Sequence, residues 1–438
     1  MKTIDYLILG AGITGLSLAY HLKEKNYAVY ERDSRVGGMC KTVSKNGFYF
    51  DYGEHFIRAD DNYVCNLISG ILADNLQSQA LNAAIYLDGK MVDYPFQTNL
   101  YGLSADTVKS CLLGYIIAWC KHQNNQEETT ENNFEKWIYS TFGDGIANYF
   151  MIPYNEKIWT IPPSEMTIDW FFNESVVPKG NLDLVVEGAL HKQEVKKSMR
   201  WYPIRGGIIS LAEGFLRYLK NVHLNKGAVE IDSIKKCVTF QDGEVIQYKN
   251  LINTIPLPEL VSIIRNVPPK IKKAANNLVF NSVFCVNLGI AREDISKQHW
   301  IYFPEKKFVF ARAYFMSNFS KFMVPKGCSS VSAMITYSKF KSIDKKNIVE
   351  RVIADLKAAG ILKESDEIIT QSTLDVPYGF NLFTHNRTAN IELIKNYLKE
   401  RNINTIGRYG NWEYSGIEHA ILNSRNLSNQ LVQTNTME

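Results

Sequence analysis

The chain has 438 residues, and its 49 lysines and arginines exceed its 45 aspartates and glutamates only enough for a formal net charge of +4, too little for the electrostatic footprint of a nucleic-acid binder. A hydrophobic share of 45%, a charged share of 21% and an aromatic share of 12% describe an ordinary globular chain, long enough for two domains or one large domain with insertions. Its 7 cysteines stand singly, with no C-x-x-C, which argues against a zinc site or a disulfide framework and points to reduced thiols in a cytoplasmic protein.

Ile4 to Leu9 is an apolar run without polar alternation, the pattern of a strand buried on both faces of a parallel sheet rather than of a signal peptide. Gly10, Gly12 and Gly15 follow as G-x-G-x-x-G. The first permits a tight turn, the second lets backbone approach a pyrophosphate, and the third lets a helix pack close to the strand. Leu16, Ala19, Tyr20 and Leu22 supply that helix's apolar face, and its N-terminus turns free N–H groups toward phosphate. Ala28 to Tyr30 reads as a second strand. Glu31, about twenty residues after the first glycine, is placed to accept the hydrogen bonds of a ribose diol. Together these elements predict a dinucleotide site. A second glycine pair, Gly37 and Gly38, makes another loop that can lie against the pyrophosphate, where Arg35 and Arg32 offer charge-assisted contacts.

Phe48 and Phe50 alternate along a strand that leads to Tyr52-Gly53-Glu54-His55, where Gly53 and His55 can bring backbone and an imidazole against a planar ring. Cys111 to Cys120 is the most apolar segment; too short to span a bilayer, it reads as a buried helix, with docking at a membrane surface as the lesser alternative. His122 to Asn133 is polar and acidic and reads as an exposed loop, and His191 to Arg200 as a basic link between two segments. Arg312 alternates with aromatics, as a strand residue pointing into a cleft would, and Arg387 follows Tyr378 and His385 in an expected loop. Asn404 to Gly407 ends a strand. From Ile417 onward an amphipathic helix carries Ile417, Ile421 and Leu422 on one side, its N-terminus suited to negative charge. No transmembrane segment, paired-carboxylate signature, Ser-type nucleophile or metal motif is present, so no catalytic residue and no metal ligand is assigned.

Residues 4 to 42 resemble flavoproteins of the flavin amine oxidase superfamily, which carry an R-x-G-G element like that of Arg35 to Gly38. The resemblance implies FAD, its adenosine end on Glu31. Gly47 to Val64 looks like the Y-G-x-H-x-F segment of UDP-galactopyranose mutases and the matching G-G-H segment of bacterial protoporphyrinogen oxidase-like proteins, which implies that Gly53 and His55 lie at the flavin ring. Tyr86 to Leu100, Asn133 to Trp170, Trp201 to Phe215, Leu251 to Leu260 and Gly407 to Ile421 resemble further segments of these families in the right order. Through the last of them Gly407, Arg408 and Ile417 join the cofactor residues, and Val229 sits where such flavoproteins bind adenine through strand backbone. Tyr154 and Trp159 match aromatic positions of the families' substrate cleft, where Arg312, Tyr378 and Arg387 are further candidates.

The implied fold is α/β: a Rossmann-like FAD-binding domain of residues 1–60, 195–260 and 395–438, and an inserted α+β substrate domain of residues 61–194 and 261–394. Helices are expected at about 100–175 and an antiparallel sheet within about 261–390. The mutases use reduced flavin N5 as a nucleophile, whereas the oxidases pass a hydride to oxidised FAD. Mutases usually hold their substrate's pyrophosphate with two arginines; this chain has Asn281 at one of these positions and no arginine in Asp169 to Asn181, where the other falls. A neutral amide is a poor substitute for a bidentate cation. The expectation is therefore an FAD-dependent oxidoreductase resembling the protoporphyrinogen oxidase-like group, acting on an activated sugar or related small molecule in surface-glycan biosynthesis. A nucleotide-sugar pyranose–furanose mutase with altered pyrophosphate contacts is the alternative. The sequence allows a homo-oligomer.

Overall fold

The computed structural model describes residues 3–124, 132–171, 177–194 and 197–435; most of the expected acidic loop, 172–176 of the stretch lacking an arginine, and 195–196 of the basic link lie outside them. Strand β1 (Thr3–Leu9) is parallel to β2 (Tyr27–Tyr30) on one side and to Val245–Asn253 on the other. Tyr6 and Ile8 belong to one hydrophobic core and Leu7 and Leu9 to another, which is why the run shows no polar alternation. Helix α1 (Ile13–His21) leaves β1 through the glycine turn. A Cβ on Gly15 would stand 2.0 Å from the Gly10 carbonyl oxygen, so this helix-to-strand contact admits no side chain there.

The sheet reaches seven strands with Val222–His223 and Ile403–Thr405, both parallel, and with the antiparallel Ala228–Asp232 and Cys237–Phe240. Its strands thus come from three separated stretches of chain. The helix Ile417–Asn435 lies along α1, with Ser424 Oγ donating to the Thr14 carbonyl at 2.9 Å.

A second seven-stranded sheet contains the long strand Phe280–Ile290, next to one edge, which pairs antiparallel with Ser329–Tyr337 and Ile368–Asn381. The antiparallel sheet expected within about 261–390 is present, all the pairings among its strands between 280 and 381 being antiparallel, and a hairpin from earlier in the chain extends it. Ala83–Leu87 and Lys90–Asp93 complete it, and Ala83–Leu87 runs parallel to Trp300–Tyr302. The physical reason is the edge. Trp300–Tyr302 is three residues long, and the hairpin from residues 83–93 covers what would otherwise be its unpaired side.

The apolar segment Cys111 to Cys120 lies in the helix Ala105–Gln123 but is buried along one stripe only. Cys111, Tyr115 and Ala118 are buried, at helical spacing, while Leu113 and Ile117 are 50% and 57% exposed. The expectation of a buried helix is corrected accordingly: the segment is apolar all round but packed on one side. Among the described residues no helix is long and apolar enough to cross a membrane.

Candidate cofactor and substrate site

Beyond the glycine turn after β1 lies a cavity of about 860 Å³. Glu31, which lines it, directs one carboxylate oxygen to the Ala11 N–H at 2.8 Å and the other to the Asp33 N–H at 3.0 Å. A carboxylate has about four acceptor positions, so both oxygens retain capacity for a diol. Gly37 donates to the Ala11 carbonyl at 2.9 Å, which lays the second glycine loop against the first. Added to Gly12, a Cβ would meet only the Gly38 Cα, at 3.8 Å. The backbone is therefore bare on the side where a pyrophosphate must approach.

A second cavity of about 270 Å³ shares Met39, Tyr52, His55 and Arg408 with the first. Three buried atoms at or near this junction have no hydrogen-bond partner: His55 Nδ1, Arg408 Nε and Ser415 Oγ. An unpaired buried polar group costs about 1–3 kcal/mol, which a bound polar ring would relieve. A diol acceptor, a glycine-bare channel and unpaired polar groups at a ring-sized junction fit FAD. Glu31, Gly10, Gly12, Gly37 and Gly38 would hold its nucleotide part, and His55, Arg408 and Ile417 would stand toward its ring.

Burial and the nearby Arg408 push the His55 imidazole down to about 4, so it is neutral at ordinary pH. The Arg408 guanidinium lies over the Tyr414 ring at 4.8 Å, and its carbonyl accepts from Asn381 Nδ2 at 2.7 Å. The second cavity carries a cluster of aromatics in its wall, among them Tyr154, Trp159, Tyr302 and Phe380. Arg312 enters it as an ion-paired partner of Glu54, donates to the Tyr154 hydroxyl at 2.5 Å and lies over the Tyr302 ring at 4.7 Å. Burial raises the Tyr154 and Tyr302 phenols well above their ordinary range, and both stay protonated.

Nine of the fourteen expected cofactor residues line the first cavity: Gly10, Gly12, Glu31, Arg32, Gly37, Gly38, His55, Arg408 and Ile417. Gly53 lines the second cavity. Gly15 and Gly407 are packing positions behind the wall, a Cβ on Gly407 falling 2.6 Å from Thr14 Oγ1. Arg35 does not reach the cavity: it donates to the Thr42 carbonyl at 3.1 Å and pairs with Glu213 at 2.9 Å. Val229 is half exposed; a register shift in its strand pairing lies between Ala228 and Glu230, and Gly227 and Ala228 line the cavity instead.

Of the substrate candidates, Tyr154, Trp159 and Arg312 meet in the second cavity. Tyr378 lines the first, packed on Phe280. Arg387 lines neither; its Nε donates to the Trp412 carbonyl at 3.0 Å and its guanidinium covers the Phe383 ring at 4.2 Å. Asn281 is fully buried. Its amide donates to the Ile158 carbonyl at 2.8 Å and accepts from the Phe380 N–H at 2.9 Å, so it clamps backbone segments on either side. The sequence reading missed Glu54, Met39, Tyr302, Tyr414 and Ser415. Adjacency to His55 was the available signal for Glu54, and the position just before the Ile417 helix for Ser415.

This fold and this pair of cavities define an α/β protein with a dinucleotide-type glycine turn opening on a cavity that adjoins a second, aromatic-lined one. Residues 13–389 match the family model of flavin containing amine oxidoreductases; the chain belongs to that family, and its cofactor is FAD. A solved structure of reduced UDP-galactopyranose mutase is similar over 99% of this chain and 95% of that one, with a TM-score of 0.91 and 27% identity. The UDP-galactopyranose mutase of Mycoplasma genitalium is 22% identical over 99% of this chain and 96% of its own. Protoporphyrinogen oxidase 2 of Arabidopsis thaliana is 23% identical over 43% of this chain, which spans only 39% of that protein. The protein is a flavin-dependent enzyme of this superfamily.

Proposed function

We propose that the enzyme acts on a sugar carried by a nucleoside diphosphate and that it rearranges the sugar at reduced flavin rather than oxidising it. The observation that carries this reading is the shared wall: Met39, Tyr52, His55 and Arg408 border both cavities, so a ring seated in the aromatic chamber lies directly against the ring end of the cofactor. When bound, FAD supplies either a hydride acceptor or, once reduced, a nucleophilic nitrogen. The chain's own part is positioning and exclusion of water. Aromatic walls fit the C–H faces of a sugar, the neutral His55 offers a hydrogen bond without charge, and Arg408 places a positive charge where electron density accumulates. Similarity to a mutase along nearly the whole of both chains supports rearrangement.

Net oxidation is favoured by one observation, Asn281, whose side chain is committed to backbone where the mutases carry an arginine. We place the FAD domain at residues 1–60, 195–260 and 395–438 and the substrate domain between them, following the two sheets. The seven free cysteines support a reducing, cytoplasmic setting. The test is incubation with UDP-hexoses, with FAD oxidised and then reduced by dithionite. Product only in the reduced state, without net flavin turnover, is expected; bleaching of oxidised flavin by the substrate would replace the mutase reading with the oxidoreductase one.

A further inference from the structure

Between Asp51 and Ile57 the chain leaves regular structure as it passes the junction of the two cavities. The Tyr52 N–H donates to the Lys41 carbonyl at 3.1 Å, and Ile57 exchanges both backbone hydrogen bonds with Trp201 at 2.9 Å. Between these anchors the backbone bonding among the described residues is local, the His55 N–H donating to the Gly53 carbonyl at 3.1 Å. A Cβ on Gly53 would stand 3.3 Å from His55 Cε1, so the turn folds the imidazole back over its own glycine. Phe56 stacks on the Phe319 ring at 4.3 Å and fixes the exit of the turn. Glu54 is its middle residue, with a side chain 10% exposed and ion-paired with Arg312, itself 16% exposed. Arg312 is a fixed post. Its strand, Arg312–Tyr314, is paired on both sides, with Trp300–Tyr302 and with Ser329–Tyr337. Its guanidinium donates to the Tyr154 hydroxyl at 2.5 Å and lies over the Tyr302 ring at 4.7 Å.

We infer that Glu54 is a positioning residue: through Arg312 it pins the Gly53–His55 turn to the second sheet and so sets where the His55 imidazole stands toward the flavin ring. A turn closed by one local backbone bond has little stiffness of its own. A poorly hydrated ion pair is stiff by comparison, because separating it strands two charges away from water. The two residues are neighbours, so what holds the Glu54 carboxylate in place also limits the reach of His55. The inference rests on the placement of the flavin ring at the junction of the two cavities.

The test compares Glu54→Gln, the double variant Glu54→Gln, Arg312→Met, His55→Ala and the triple variant of all three positions. Each full-length chain is titrated with FAD, and the position of the bound flavin's visible band is recorded well below its melting temperature. Glu54→Gln strands the Arg312 charge and is expected to melt clearly below wild type; the double variant removes both charges and is expected to regain most of that loss. The flavin readings do not recover with it. The double variant is expected to bind FAD about tenfold more weakly than wild type, as His55→Ala does, with its band displaced in the same direction. The triple variant is expected to bind FAD within about threefold of His55→Ala, because Glu54 acts through His55. A merely structural Glu54 would let the double variant regain wild-type affinity and band together with its stability, and that result overturns the inference while the ring placement stands. So does a loss of about a hundredfold in the triple variant, the product of two independent effects. Should His55→Ala leave both flavin readings unchanged, the ring placement falls and the inference with it.

Discussion

Glu31 holds two backbone N–H groups on its own account, those of Ala11 and Asp33, and so shapes the glycine turn as well as any ribose contact. Glutamine keeps the shape but turns an NH₂ toward one of those two donors. In a side chain 8% exposed, loss of a charge-assisted bond costs about 1.5–3 kcal/mol. Glu31→Gln is therefore expected to lower the unfolding free energy of the FAD-free protein by that amount, read as a fall in its urea midpoint, and to leave the purified protein largely without flavin. An unchanged midpoint with lost flavin would confine Glu31 to the ligand. Spacing alone made this residue legible, because the strand–helix–strand unit sets its distance from the first glycine. Arg35 and Arg387 were not legible in the same way. A guanidinium goes to whichever acceptor the fold brings near, and for Arg35 that is Glu213, 178 residues along the chain.

The β1–α1 unit puts two glycines of one motif to different uses, which separates binding from folding. Gly12 has ordinary φ of −72° and free space at its Cβ position apart from Gly38 at 3.8 Å, whereas a Cβ on Gly15 meets the Gly10 carbonyl oxygen at 2.0 Å. Gly12→Ala is expected to fold with an FAD-free melting temperature within about 2 °C of wild type, as for a surface change of under 0.5 kcal/mol, and to bind FAD more than tenfold more weakly. Gly15→Ala forces backbone to move and is expected to lose about 3 kcal/mol or more, or to be recovered only as aggregate. Circular dichroism melts and flavin absorbance read the two effects apart; equal melting temperatures for the two variants would refute the distinction. Elements made by local signals, such as this unit and the Ile417 helix, were readable from the chain. The pairing of Trp300 with Ala83 was not, since a three-residue strand carries no period and its partner lies more than two hundred residues earlier in the chain. The same holds for the Cys111 to Cys120 helix, whose apolar content says nothing of how many sides will be covered.

At the scale of the whole molecule, buried titrating groups pull stability in opposite directions with pH. His55 and His299 are both pushed down to about 4, chiefly by burial, and His21 is lowered for the same reason. The unfolded chain takes protons below 6.5 that these folded sites refuse, so their contribution is full above 6.5 and is lost as pH falls toward 4. Asp51 acts the other way. Burial pushes it up to about 7, against hydrogen bonds from Thr42, Tyr202 and the Ile208 N–H. The folded chain keeps a proton there that the unfolded chain gives up above about 3.8, so stability from Asp51 is full below 3.8 and is lost as pH rises through 7. In the window from 4 to 6.5 Asp51 thus blunts the rise that the histidines impose. Asparagine preserves its geometry: Oδ1 still accepts from Thr42 and Ile208, and the Tyr202 hydroxyl turns to accept from the amide. Asp51→Asn removes the opposing proton. Its unfolding free energy is therefore expected to climb with pH more steeply than wild type's, by about one proton, or ~1.4 kcal/mol per pH unit. Urea midpoints of the FAD-free proteins at pH 4.5, 5.5 and 6.5 decide it. Parallel lines for the two proteins would mean that the Asp51 carboxyl is already ionised in the fold, its three donors outweighing the burial that surrounds it.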